Sequence, residues 1–424
     1  MAGSEGNVEH IKIRNFGPIK SCDLELRDFT ILTGAQATGK STLAKVAYYC
    51  NTLGQEIFNQ ITTRKSEEDF PASLLHNLTK RLRLKFLQLF GSSWSMSDDM
   101  RIAYNQDDQL ILEIYLSKLH AQPHRNVVCF VFGEHIRQFV ERHDGAEYVW
   151  DVEERRMRLW QEIRALLQNP YQVIYIPAGR STLTLLTDKI ASILDDASRS
   201  VDYCMRQYIR QTTELRSYFH AGTQGLLEET LHTSQAKLPL EELEMLQDLI
   251  DRVLSGRYSY EAGEERLNLS NGKYVKINFA SSGQQETVWV FNLLFYHLMQ
   301  SQPTFLVVEE PESHLFPNSQ KLIAEALAVF GHGRNRVLVT THSPYILGTF
   351  NNLLYASELQ NRGHDADSIV PPLQQLSQER TAAFYLEGGL VERAIEDGFV
   401  CNELIDGASD EINGELERLL AIRD

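Results

Sequence analysis

The chain has 424 residues, 43% of them hydrophobic and 23% charged, enough to bury a large core and more than one small domain needs. Its formal charge is −16, from 41 Lys and Arg against 57 Asp and Glu, which disfavours a general nucleic-acid binder; only a local run such as Lys80 to Lys85, KRLRLK, offers a basic patch. No stretch of about 18 uncharged apolar residues occurs and the first residues, MAGSEGNVEHIKIRNF, are polar before they are apolar, so neither a membrane span nor a secretory signal is expected and the cytosol is the expected location.

In chain order, HIKIRNFGPIKSCDLEL alternates apolar and polar residues, breaks at Gly17-Pro18 and runs on into FTILTG, which predicts three strands. Helix formers follow Gly39 at once, in STLAKVAYYCNTL, so a helix is expected behind a glycine-rich turn. Between Asn51 and Tyr274 the pattern is largely helical, as in EERRMRLWQEIRALLQ and in residues 188–219. It is interrupted by the strand-like QLILEIYL and NVVCFVFG and the short apolar QVIYIPAGRS. TFLVVEE and RVLVTTHS then read as buried parallel strands, each ending in a polar cluster, where an open α/β sheet places its site. The five cysteines, Cys22, Cys50, Cys129, Cys204 and Cys401, lack any CxxC spacing and read as reduced thiols rather than a zinc site or disulfide framework.

The turn is specific. Gly34, Ala35, Gln36, Ala37, Thr38, Gly39, Lys40, Ser41 and Thr42 fit G-x-x-x-x-G-K-[ST], a loop of small residues whose N–H groups close on phosphate oxygens at a helix N-terminus. Lys40 is expected to bridge the β- and γ-phosphates of ATP, Ser41 to hold Mg²⁺, and Thr42 to reach the α-phosphate. At the end of FLVV, two acids alone would simply solvate a strand end. Downstream of a phosphate loop, Glu309 is expected to hold the metal and Glu310 to polarise the attacking water. Ser281-Ser282-Gly283-Gln284-Gln285-Glu286 leads into a further helix, either as an ordinary cap or as a seat for an anion. His342, in TTHSPY, stands at a strand end where it would contact a γ-phosphate or orient water, unless it is purely structural.

Taken in that order, the segments resemble the ABC-type ATPase heads of the SMC, RecF and OLD group: GAQATGKST as Walker A, SSGQQ as signature, FLVVEEPESHLFP as Walker B running into the D-loop, and THS as the histidine switch. The likeness covers residues 8–50 and 272–350. NFGPIK, YIPAGRS and EEPESHLFP most resemble the ATPase subunit of bacterial antiphage systems such as PARIS. The resemblance implies an α/β ABC-type P-loop head with a mixed sheet flanked by helices. Residues 1–50 and 272–424 would form the head, and 51–271 an inserted, mainly helical lobe with some strands.

It further implies ATP sandwiched between two copies, with Ser282 and Gly283 of one facing the phosphates held by Lys40 of the other, and Glu312 and His314 crossing to the second copy. Departures are Glu309 in place of the more usual Asp and SSGQQ in place of LSGGQ, which suit a slow switch. The implied role is an ATP-gated sensor controlling a separate effector, a nuclease in this group, because the OLD proteins' own nuclease would need more than the roughly 80 residues after THS and Asp365-Ala-Asp367 sits in a polar loop. A RecF- or SMC-like clamp that grips DNA is the alternative; a transporter ATPase fits the long insertion badly. Arg180 in YIPAGRS would either approach the nucleotide or form a surface salt bridge. The C-terminal FYLEGGLVERAIEDGFVCNELIDGASDEINGELERLL reads as an acidic helical segment packed beside the sheet or turned to a partner.

Overall fold

Apolar runs too continuous to leave one face in water form the centre of the molecule, and the protein buries them on both faces. A computed structural model gives the coordinates, and the residues described are 8–63, 73–119, 122–144, 152–181, 201–233, 238–300, 302–396, 398–400 and 415. The chain opens with β1 (Glu9–Phe16), β2 (Ile19–Leu26), β3 (Phe29–Gly34) and α1 (Lys40–Asn51). Next come α2 (Leu53–Thr62), α3 (Leu74–Phe90), a meander of β4 (Arg101–Gln106), β5 (Gln109–Leu119) and β6 (Gln122–Phe132), then α4 (Glu134–Arg142), α5 (Glu153–Leu167) and β7 (Gln172–Ile176). Helices α6 (Tyr203–Leu215), α7 (Gly222–Thr233) and α8 (Leu240–Leu254) lead to a small sheet of β8 (Arg257–Glu261), β9 (Glu264–Asn268) and β10 (Tyr274–Lys276). The remainder is α9 (Ser282–Met299), β11 (Thr304–Glu309), α10 (Pro317–Gly331), β12 (Arg336–Thr341), α11 (Pro344–Asn361), β13 (Thr381–Glu387), β14 (Leu390–Arg393) and a short pair, β15 (Ile395–Glu396) and β16 (Phe399–Val400).

One 11-stranded mixed sheet, in the order β6-β5-β4-β1-β2-β14-β13-β3-β12-β11-β7, organises these elements and is flanked by helices, which is the expected α/β class. Its β13-β3-β12-β11-β7 half is parallel and the β1-to-β6 part antiparallel. In the parallel half successive side chains enter opposite layers. Leu306 and Val308 of β11 pack with α8 to α11, whereas Phe305 and Val307 pack with α1, α2, α3 and α5. Strands from between residues 51 and 271, β4 to β6 and β7, hydrogen-bond into the same sheet as the terminal ones. Of the helix expected over 188–219, residues 203–215 form α6, and 182–200 lie outside the described residues.

Two expectations are corrected here. FYLEGGLVER is not a helix beside the sheet but β13 and β14 within it, where β13 pairs with β3 from Thr381↔Phe29 to Leu386↔Gly34. Ala382, Ala383, Phe384 and Leu386 are buried there, so this is core, and Gly388-Gly389 is the hairpin turn between its strands. Nor is Lys80 to Lys85 an open basic patch: it lies within α3, Lys85 is buried with its Nζ 2.7 Å from Glu56 Oε1, and Arg81 pairs with the same carboxylate. Cys22, Cys50, Cys129 and Cys204 are unbridged, and burial pushes the Cys22 thiol up to about 12; Cys401 lies outside the described residues. No described helix is long and apolar enough to cross a membrane.

Helix α9 is apolar almost all round, as a helix enclosed by others must be, and its one buried imidazole has a pH signature. The Gln211 amide donates to His297 Nε2 at 2.9 Å, and burial drives the His297 pKa down to about 3. The folded ring therefore stays neutral while the unfolded one protonates below about pH 6.5, so its contribution is complete above that pH and is lost as pH falls towards 3. Between pH 7 and pH 5 the wild type should lose ~2 kcal/mol more stability than His297→Gln, read from urea melts at both values. Equal losses would mean that the ring is already charged in the fold.

Candidate functional site

β3 ends beside β12, and β12 beside β11, in near-level register (Thr341↔Thr33 and Glu309↔Thr340), so three polar strand ends meet at one edge. Glycine is required twice in the loop that follows β3. Gly34 has φ 140° and a Cβ there would stand 2.4 Å from the Leu386 carbonyl oxygen of β13; Gly39 has φ 108° and a Cβ would meet Ile19 Cδ1 at 2.6 Å. Ala37 takes a left-handed φ of 64°, and Thr38 Oγ1 donates to the Ala35 carbonyl at 2.9 Å, closing the turn. Ala35, Gln36, Ala37 and Ser41 are exposed, and Thr38, Gly39 and Thr42 half-buried. The buried Lys40 donates to the carbonyls of Gly34 and Ala35 at 2.7 and 2.8 Å; burial lowers its pKa against the opposing charges of Glu310 and Glu312.

Across the strand ends, the acids separate by environment. Glu309 is buried, and its Oε2 accepts the Ala178 N–H at 3.3 Å, while Oε1 has no well-formed hydrogen bond among the described residues, the buried Tyr175 hydroxyl being the one donor near the carboxylate. A buried carboxylate oxygen without a donor is costly, and a cation with its water shell satisfies it. No group of three or more His, Cys, Asp or Glu among the described residues is arranged to hold a metal. One carboxylate beside a phosphate loop fits Mg²⁺, which takes most of its shell from phosphates and water.

Glu310 leaves the sheet by a left-handed turn, φ 42°, with its N–H on the Thr340 carbonyl at 2.9 Å. Its carboxylate is 34% exposed and 3.7 Å from His342 Nδ1. A half-open carboxylate next to an imidazole can take a proton from water.

Glu312 differs from expectation. Rather than crossing to a second copy, it is buried against its own chain, accepting from Thr341 Oγ1 at 2.7 Å and the His342 N–H at 3.0 Å, and lying 3.5 Å from His342 Nδ1. It therefore fixes the histidine segment. His314, two residues on, is exposed with φ 59°.

Arg180 is also misread by both sequence alternatives, since its side chain is 0% exposed and its reach is to backbone. Nη1 donates to the carbonyls of Pro177 (2.8 Å) and Glu309 (2.7 Å), Nη2 to that of Glu310 (3.0 Å), and Nε lies 3.2 Å from Glu286 Oε2. Glu286 in turn accepts the N–H groups of Arg180 and Ser181 at 3.1 and 2.9 Å. The sequence reading placed Glu286 at the end of the segment that opens α9 and gave it no role; the signal for one was a single acid at the head of an otherwise apolar helix.

Phosphate loop, Glu309, Glu310 and His342 are thus brought together in one chain, whereas Ser282 and Gly283 stand apart. Ser281 caps α9 in a reciprocal pair with Gln284, Ser282 is exposed, and Gly283 packs where a Cβ would be 2.9 Å from the His314 carbonyl oxygen. Among the described residues no hydrogen bond joins Ser282 or Gly283 to the phosphate loop. Asp365 and Asp367 are exposed in a loop as expected, Asp365 accepting the Asp367 N–H at 3.0 Å.

The model of the family described as "AAA ATPase domain" matches residues 7–347. No curated protein matches the chain. Among solved structures, the chain is similar to an SMC head bound to the C-terminal winged-helix domain of ScpA, at 11% identity, TM-score 0.42, and 92% and 97% coverage of this chain and that one. It is similar also to an SMC head with an extended coiled coil bound to the C-terminal domain of ScpA from Pyrococcus furiosus (12% identity, TM-score 0.39, 98% and 99%) and to the SMC head from Thermotoga maritima (10%, 0.36, 92% and 100%).

Proposed function

From the premise that this chain belongs to the AAA ATPase domain family, we propose that it hydrolyses ATP between two copies of itself and uses the closed pair to gate a separate effector. Lys40 and the loop N–H groups from Gly34 to Thr42 hold the phosphates; Ser41 and Glu309 hold Mg²⁺, which when bound offsets phosphate charge. Glu310 takes the proton of the attacking water, and His342 orients that water or touches the γ-phosphate. Ser282 and Gly283 complete the site from the second copy.

The observation that supports the two-copy reading is that each of the three segments involved carries an exposed large apolar side chain. Phe279 (77% exposed) precedes Ser282, Phe316 (72%) follows the Glu309-Glu310 turn, and Tyr345 (54%) follows His342. Large apolar groups left in water on all three segments favour a covering protein surface.

NFGPIK, YIPAGRS and EEPESHLFP favour the finer reading, a cytoplasmic antiphage ATPase of the PARIS type with 51–271 as the sensing segment and a nuclease as effector. A DNA clamp of the RecF or SMC type has less in its favour, because Arg81 and Lys85 of the basic run are engaged by Glu56.

The test is capture by the tagged Glu310→Gln chain with and without ATP. Self-association that appears with ATP and is abolished by Phe316→Glu, together with co-purification of a nuclease from the native host, is expected. A chain that stays monomeric at saturating ATP overturns the reading, and tight, strongly salt-dependent DNA binding by a closed pair shifts it to the clamp.

A further inference from the structure

Alternate residues of β7 and β11 belong to opposite layers of the core. Ile174 and Ile176 pack with Leu306 and Val308 on one side of the sheet, and Tyr175 packs with Phe305 and Val307 on the α1 side, directly opposite Val307 in the parallel register. The next residue of β11 on that side is Glu309, diagonal to Tyr175 and within reach of so long a side chain. Just beyond β7, the Ala178 N–H is the one that Glu309 Oε2 accepts at 3.3 Å, so this edge of the sheet runs along the carboxylate.

The Tyr175 hydroxyl is buried and makes no well-formed hydrogen bond among the described residues, and the same is true of Glu309 Oε1. A hydroxyl taken out of water is costly unless a partner stands beside it, and here the partner is that carboxylate. Burial first, and the charge of Glu309 second, hold the Tyr175 pKa well above the usual phenol range, so the group stays a neutral donor. An ionised carboxylate only accepts, which leaves one direction for the bond, from the tyrosine O–H to Glu309. The ring is fixed from α1, where Tyr48 packs edge-on with centroids 5.2 Å apart. Lys45, the cation of α1 that also feels Glu309, is engaged by Asp202 at 2.8 Å.

We propose, on the reading of Glu309 as a metal ligand given above, that Tyr175 is the residue that positions it: its hydroxyl fixes the direction in which the carboxylate meets Mg²⁺. A carboxylate has about four acceptor directions, so one bond from Tyr175 and one from the Ala178 N–H leave others for the ion and its water. A ligand oriented in advance needs no rearrangement when the ion arrives, and partners of this kind govern metal affinity without touching the metal.

Tyr175→Phe keeps the ring and its contact with Tyr48 and removes only the oxygen. Mn²⁺ in place of Mg²⁺, titrated into the full chain loaded with adenosine 5′-(β,γ-imido)triphosphate and followed by the paramagnetic resonance of the free ion, reads metal affinity without turnover. Tyr175→Phe should weaken Mn²⁺ about 10- to 100-fold, leave nucleotide binding in EDTA within about twofold, and add nothing to Glu309→Gln. A merely structural tyrosine would instead lower the melting temperature and metal-free nucleotide binding together, and its loss would still be felt in the Glu309→Gln chain; that result overturns the proposal. Undiminished Mn²⁺ affinity in Tyr175→Phe, where Glu309→Gln does weaken it, overturns the role of Tyr175 alone. Undiminished affinity in Glu309→Gln overturns the metal assignment itself, and the role of Tyr175 with it.

Discussion

Arg180→Ala is expected to cost about 3–5 kcal/mol of stability and to remove ATP hydrolysis in whatever chain still folds. One fully buried guanidinium holds the carbonyls of Glu309 and Glu310 together, and its removal takes a charged donor from both, leaves the Glu310 carbonyl with the Ser313 N–H, and leaves the buried Glu286 without its cation. The left-handed turn at Glu310, φ 42°, persists only while its surroundings enforce it, and Arg180 is a large part of that enforcement. Arg180→Lys keeps the charge but cannot span Pro177, Glu309, Glu310 and Glu286 at once, so it should recover folding and little activity. Melting and turnover measured on both variants distinguish a positioning role from a merely structural one: if Arg180→Lys restores stability and activity together, the clamp does nothing beyond filling space.

Glu310→Gln should lower turnover by about 10²–10⁴-fold while ATP still binds, because the amide keeps the size of the carboxylate and cannot accept a proton. Folding should be close to unchanged, since Glu310 is 34% exposed and its structural bonds are made by backbone atoms. Single-turnover hydrolysis and filter binding of labelled ATP on the same preparation check this. Turnover within a few-fold of wild type would remove Glu310 from the proton-transfer role and leave His342 as the candidate.

What could be read from the sequence followed from local pattern. The phosphate loop is contiguous, so its glycines, lysine and following helix were legible from Gly34 to Asn51, and the parallel strands announced themselves by continuous apolar runs ending in Glu309 and His342. What escaped depends on pairing over long separations. Arg180 meets Glu286, Glu309 and Glu310 from more than 100 residues away, and nothing in YIPAGRS says that its arginine turns inward. FYLEGGLVER read as part of an acidic helical segment because its glycines and acids dominate, yet insertion beside β3 makes it strand and buries its apolar half. Glu312 sits where the resemblance implied a crossing to a second copy, and only the fold shows Thr341 and the His342 N–H waiting for it.

Lys40 is bonded to the carbonyls of Gly34 and Ala35, so on the proposed reading nucleotide capture would be an exchange rather than an addition. The ammonium leaves two neutral acceptors for phosphate oxygens, so little is gained in the number of hydrogen bonds and the benefit rests on the greater charge of the new partner. Adenine and ribose would contribute nothing to that trade, which on this reading would make the lysine a reader of phosphate charge that holds the loop in shape before any cargo arrives.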